Sequence, residues 1–317
     1  MPGGKESLMY LYHAEALGIG GQITRPFKKL LESQAATSLP TSGGYGRSRI
    51  ENFDFEQIVS FDAAYTEVTG SYDEVQGAYT TQVSTTVENL NIMNMVTADK
   101  VVGRITSTHV ISKNKDEASI IPVGCFFENL RIAGNQAYPV FDFDPFTQQP
   151  TFGEFKNAFE KQKNASLRRC MLWSQLKPGC PPPLNNMHSW FESQTSMPSV
   201  AVCSLVKDLG FKQTAGIEVY GPIVVVPNFG IIYVCEFIIV HRQRRLNMLR
   251  VSLGANNPST IQGETWSAHT AKTAPLSGVP PVSGGSTTTT VAAIDGEMTV
   301  AAGSANGSTY PPPPGLG

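Results

Sequence analysis

What the chain has little of narrows its function first. Charged residues make up 16% of it, and acidic and basic side chains nearly balance, leaving a net charge of -2 and a pI near 6.2. A nucleic-acid binder needs a basic stripe to displace counterions from phosphates, and no such excess exists, so no nucleic-acid partner is expected. No long apolar run opens the chain either: between Met1 and Ile23 only Leu8 to Tyr12 is apolar before His13 and Glu15. That is too short for a secretory signal or a membrane span, and the sequence predicts neither.

Spacings that carry chemistry are missing as well. The five histidines are scattered, without the HxH or HExxH pattern of a zinc site. There is no nucleophile elbow, phosphate loop or dinucleotide fingerprint, so the sequence predicts no enzyme, no catalytic residues, no metal and no cofactor. Asp142 and Asp144 in Phe141-Asp142-Phe143-Asp144 share one face of a predicted strand, but no third ligand is near, and a solvated edge explains them. The five cysteines contain no CxxC pair and are odd in number. Cys125, Cys203 and Cys235 lie in apolar strands as small buried hydrophobes. Cys170 and Cys180 flank a loop and are the pair the sequence offers for a disulfide.

What is present is β-strand pattern. From Gly230 to His241 nearly every residue is β-branched or aromatic, with Glu236 the single charge, which predicts a strand covered on both faces. The chain returns through Leu249, Val251 and Leu253, alternating with polar residues, as a half-buried partner. Between them Arg242, Arg244 and Arg245 sit at a predicted hairpin tip, where charge keeps the turn solvated. Ile58 to Ser71 and Ala78 to Leu90 read as a long hairpin, and 100–111, 118–132 and 137–144 as further strands. Thr151 with Glu154 makes a capping box for one helix over 151–164, with Phe152, Phe155 and Phe159 on one face. A Pro-rich loop over 166–200 carries Trp173 and Trp190.

These elements predict an all-β fold, an antiparallel, jelly-roll-like β-sandwich with one short helix and an extended C-terminal arm. The expected divisions are an N-terminal arm or loop region over 1–48, a sandwich body over 49–254, and a linker and arm over 255–317. Gly, Ser, Thr, Ala and Pro dominate the arm, and such a composition builds no core of its own. Within it a strand is predicted over 287–302. Ile294, Met298, Val300 and Ala302 fall on one face, with Val291 ahead of them, and Asp295, Glu297 and Thr299 on the other. Alone it is unstable, so it either folds back on its own sandwich or completes the sheet of a neighbouring copy.

The segments SFDAAYTEVTGSY, STTVENLNIMNMVTADKVVGRI, VGCFFENLRIAG and VPNFGIIYVCEFIIVHRQRRLNMLRVSLG, followed by an extended arm, carry a resemblance of plan. The chain is similar to jelly-roll subunits of bacterial extracellular pilus-like filaments linked by strand exchange. That resemblance implies a structural subunit, extracellular or at the cell surface, whose partners are copies of itself in a head-to-tail homopolymer. Two other readings stand beside it: a carbohydrate-binding sandwich that stacks glycans on Trp173 and Trp190, and a viral or phage coat subunit. Asn164 and Asn306 match the N-glycan acceptor pattern, which matters only in an exported protein.

Overall fold

The computed structural model describes residues 9–110, 117–162, 165–194, 196–212, 216–254 and 294–310. The chain opens with β1 (Met9–Arg25), β2 (Lys29–Gln34) and β3 (Thr37–Ser38), then runs through four long strands, β4 (Gly44–Phe55), β5 (Val59–Asp73), β6 (Ala78–Ile92) and β7 (Val96–Val110). Shorter ones follow, β8 (Ser119–Pro122), β9 (Phe126–Glu128), β10 (Arg131–Ile132) and β11 (Asn135–Phe141). Next come α1 (Asp144–Gln148), α2 (Phe152–Gln162), α3 (Ala165–Cys170), a 3-10 turn (Leu172–Gln175) and α4 (Pro182–Glu192). The last stretch carries β12 (Ala201–Ser204), β13 (Val206–Phe211), β14 (Glu218–Tyr220), β15 (Ile223–Val226), β16 (Gly230–Val240), β17 (Gln243–Leu253) and β18 (Asp295–Tyr310).

Among the described residues all strand pairs are antiparallel and form two sheets of nine strands, an all-β sandwich. The first sheet runs β14-β15-β16-β17-β18-β1-β2, with β12 beside β16 and β3 beside β1. The second runs β13-β11-β10-β7-β6-β5-β4, with β8 and β9 beside β7. The expected central hairpin is β16 and β17, in register from Gly230 opposite Leu253 to Val240 opposite Gln243. Because the helical stretch covers the first sheet, β16 is buried along nearly its whole length. Phe146 meets Phe237 edge-on at 5.0 Å, and Trp173 meets Tyr233 edge-on at 6.0 Å.

Several local expectations change. Residues 9–48 are not a loose arm, since β1 is a 17-residue strand between β18 and β2, while residues 1–8 lie outside the described residues. Its glycines mark close approach rather than a loop: a Cβ on Gly18 would stand 2.9 Å from the Ala64 Cβ of the opposite sheet. The helix predicted over 151–164 is α2, and its capping box forms, the Glu154 amide donating to Thr151 Oγ1 at 3.1 Å and the Thr151 amide to Glu154 Oε2 at 3.3 Å. It is not the single helix, however, because α3, the 3-10 turn and α4 together occupy more than half of the supposed Pro-rich loop. Pro182 and Pro183 sit in the first turn of α4, where a missing N–H costs no hydrogen bond. Arg244 is not at a solvated tip; the turn ends at Arg242, and the Arg244 side chain is buried over Phe237 with Nη2 donating to the Gln149 carbonyl.

Candidate functional site

The sequence makes the last strand the feature on which function turns, and the fold gives it a definite seat. β18 is in the middle of the first sheet, paired with β17 on one side and β1 on the other over most of its length. One side of the seat comes from β1, the first described strand, and the other from β17, the described strand that precedes β18 in the chain. Val300 lies between Ile19 and Leu249, and Met298 between Gly21 and Val251. Both side chains are fully buried, Ala302 is buried beside them, and Ile294 packs partly buried at the strand's entry. Val291, and the part of the predicted strand over 287–293, lie outside the described residues. The described strand ends at Tyr310 rather than at 302, and it belongs to the sandwich rather than to an arm outside it.

Small residues fit the strand to its seat. A Cβ on Gly303 would stand 2.6 Å from Val83 Cγ1, and one on Gly103 would stand 3.1 Å from the Ala301 carbonyl oxygen, so β6 and β7 press directly on this strand. The Thr85 hydroxyl, buried on β6, donates to the Ala302 carbonyl at 3.1 Å. Ala301 in β18 and Cys235 in β16 both adopt left-handed backbone, at φ 50° and 54°, on either side of Met248. They put a crease across the sheet where strict alternation breaks, and non-glycine residues hold that conformation only where the surroundings enforce it.

A polar lock sits on the same strand pair. Glu236 is 3% exposed and receives Arg250 through both of its oxygens, Nη2 to Oε1 at 2.7 Å and Nε to Oε2 at 3.0 Å. Asn247 Nδ2 donates to Glu236 Oε2 at 2.8 Å, and Arg245 Nε donates to Asn247 Oδ1 at 3.1 Å. The Arg250 guanidinium lies 3.7 Å from the centre of the Tyr233 ring, and its Nη1 donates to Glu297 of β18 at 3.1 Å. Burial pushes the Glu236 carboxyl up, but the charge and hydrogen bonds of Arg250, helped by Asn247, outweigh it and hold the carboxyl below its ordinary range. At the strand's start Asp295 pairs with Arg25 of β1 at 3.4 Å. Charged contacts to both neighbours thus set the register of β18.

The match to a family covers β1 through β16. The chain belongs to the DUF8256 family. The family is described as a domain of unknown function, and its model matches residues 10–240. β17 and β18 lie beyond that match, although the first sheet is continuous only with both. No curated protein and no solved structure matches the chain.

The remaining sequence candidates are dispersed. Trp173 is 8% exposed and spent on Tyr233, whereas Trp190 is exposed on α4, so the two do not make a stacking pair for a glycan. Asn164 lies outside the described residues, and the backbone of Asn306 is paired with His13 and Gln243, which removes it from the loop-like conformation a glycan acceptor presents. Cys170 and Cys180 are both free thiols, and the Cys170 sulfur stands 3.8 Å from that of Cys203. Asp142 lies past the end of β11 and accepts the Asp144 amide at 3.2 Å, a helix-entry contact in place of a two-carboxylate site. Among the described residues no group of three metal-ligating side chains occurs, and no helix is long and apolar enough to cross a membrane.

Proposed function

We propose that the chain is a structural subunit that joins copies of itself by exchanging β18, each strand filling the seat between β17 and β1 of a neighbour. The observation that carries this reading is a mismatch of lengths. Leu253 pairs with Gly296, so the end of β17 and the start of β18 are neighbours, and a hairpin of about two to five residues would join them. The chain places 39 residues there, 255–293. Fully extended, that segment spans about 130 Å at ~3.3 Å per residue, enough to cross to another sandwich. The seat is also incomplete without its strand, which is the condition under which a borrowed strand binds firmly. A head-to-tail exchange that does not close yields a filament. A place at the cell surface belongs to the same reading.

Gln243→Cys with Asn306→Cys, which sit opposite each other across β17 and β18, tests it. Oxidised in the assembled state and run without reductant, the double variant is expected to give a ladder of covalent oligomers. Monomers carrying only an intrachain link would overturn the proposal.

A further inference from the structure

Away from the seat of β18, the helical layer meets the first sheet at a pair of thiols. Cys170, the last residue of α3, and Cys203, in β12, hold their sulfurs 3.8 Å apart. Met171 makes a backbone bridge with Cys203, so the two chain segments are fixed side by side. The Cys203 sulfur also touches Met171 Sδ at 3.6 Å. Cys203 has no exposure to solvent, whereas Cys170 is half-buried and opens into a polar cleft with Asp142, Arg169, Ser204, Lys207 and Asp208. Access is therefore one-sided: a small solute in the cleft meets Cys170, and Cys203 waits behind it.

We propose that Cys170 and Cys203 are the site of an intramolecular disulfide, formed when hydrogen peroxide enters the cleft. In the first step the Cys170 sulfur attacks one peroxide oxygen, the O–O bond breaks, and hydroxide leaves and takes up the thiol's proton as water, leaving a sulfenic acid. In the second, the Cys203 sulfur attacks the Cys170 sulfur, the S–O bond breaks, and the departing hydroxide leaves as water with the Cys203 proton. Two thiols lose two electrons in all, and one peroxide becomes two waters. Burial, the adjacent Cys203 and Asp142 push the Cys170 thiol well above its ordinary range, against the pull of Arg244. The first step is consequently slow near neutral pH and accelerates as pH rises. The product ties α3 to β12 across a separation of 33 residues that contains α4.

Full-length protein treated with hydrogen peroxide, blocked with iodoacetamide and mapped without reduction decides the matter. Trypsin leaves both cysteines, and Cys180, on one peptide ending at Lys207, so chymotrypsin is added to separate them. The expected product is a Cys170–Cys203 crosslink and a loss of about two mass units in the intact chain, formed faster at alkaline pH. Cys180→Ser is expected to leave the crosslink unchanged. Cys203→Ser should stop Cys170 at the sulfenic acid, trapped by dimedone. Alkylation of both Cys170 and Cys203 after treatment, or a Cys170–Cys180 link instead, would overturn the proposal, and both are read in the wild-type chain.

Discussion

Replacing Arg250 with Met isolates the polar lock beneath β18. Glu236 is almost without solvent, and in the variant its carboxylate keeps only the Asn247 hydrogen bond. Leaving a buried charge without its partner costs about 3 to 5 kcal/mol, whereas replacing both partners with apolar or neutral groups is often close to neutral. At about 2 °C per kcal/mol for a domain of this size, Arg250→Met should lose about 6 to 10 °C in Tm, and Glu236→Gln with Arg250→Met should recover much of it. The pH dependence gives a second reading. In the wild type the Glu236 carboxyl is held below its unfolded value, so its contribution is present above the unfolded pKa of about 4.3 and is lost as pH falls through the lower folded value. Without Arg250, desolvation outweighs the Asn247 hydrogen bond and the more distant charge of Arg245, and the sign reverses: the folded pKa lies above the unfolded one, and the variant weakens as pH rises past about 4.3. The gap between wild type and variant, followed by calorimetry, should therefore be widest near about pH 7 and narrow toward about pH 4. A gap under about 1 kcal/mol, or one that does not change with pH, would refute the reasoning.

Three further outcomes are expected. Met298→Ala should cost about 2 to 5 kcal/mol in chemical unfolding, because the side chain is fully buried between the two sheets. Gly21→Ala should cost about 1 to 3 kcal/mol or more, since its Cβ would stand 2.7 Å from the Met298 Cα, which has backbone on both sides and little freedom to move; thermal melting reads the loss. A chain ending at Gly254 should lose cooperative unfolding and show rapid amide exchange in β1 and β17, both of which would be left with an unpaired edge.

The last of these reverses what the sequence alone suggests. Read locally, residues 255–317 look like an arm that a folded body can spare. The segment Ala301-Ala302-Gly303-Ser304-Ala305 looks like low complexity because its residues are small, and small residues carry little apolar surface. In the fold Gly303 carries no side chain because Val83 of the opposite sheet leaves no room for one, a constraint set about 220 residues away in the chain. Gly18 and Gly21 mislead in the same way, since glycines in a sequence suggest a loop and these two are points of close approach. Arg244 reads as a turn residue because hairpin tips are usually charged, and only its place over the Phe237 ring and against the Gln149 carbonyl shows that it is buried. Cys203 was legible as a buried thiol. Its pairing with Cys170 was not, because contacts across the helical layer leave no trace in spacing.

The amino-acid order alone determined the secondary structure that depends on near neighbours. It contains the antiparallel hairpins, the covered strand from Gly230 to Val240, the capping box of Thr151 and Glu154, and the alternation around Met298 and Val300. These are short-range preferences, decided within about one turn or one strand pair. The tertiary structure alone decided that β18 lies between β17 and β1, that Arg250 joins Glu236 to Glu297, and that the first and last described strands are partners. The physical reason is that hydrogen-bond ladders and sheet-to-sheet contact join residues by distance in space, and no local pattern specifies which distant edge a strand will meet.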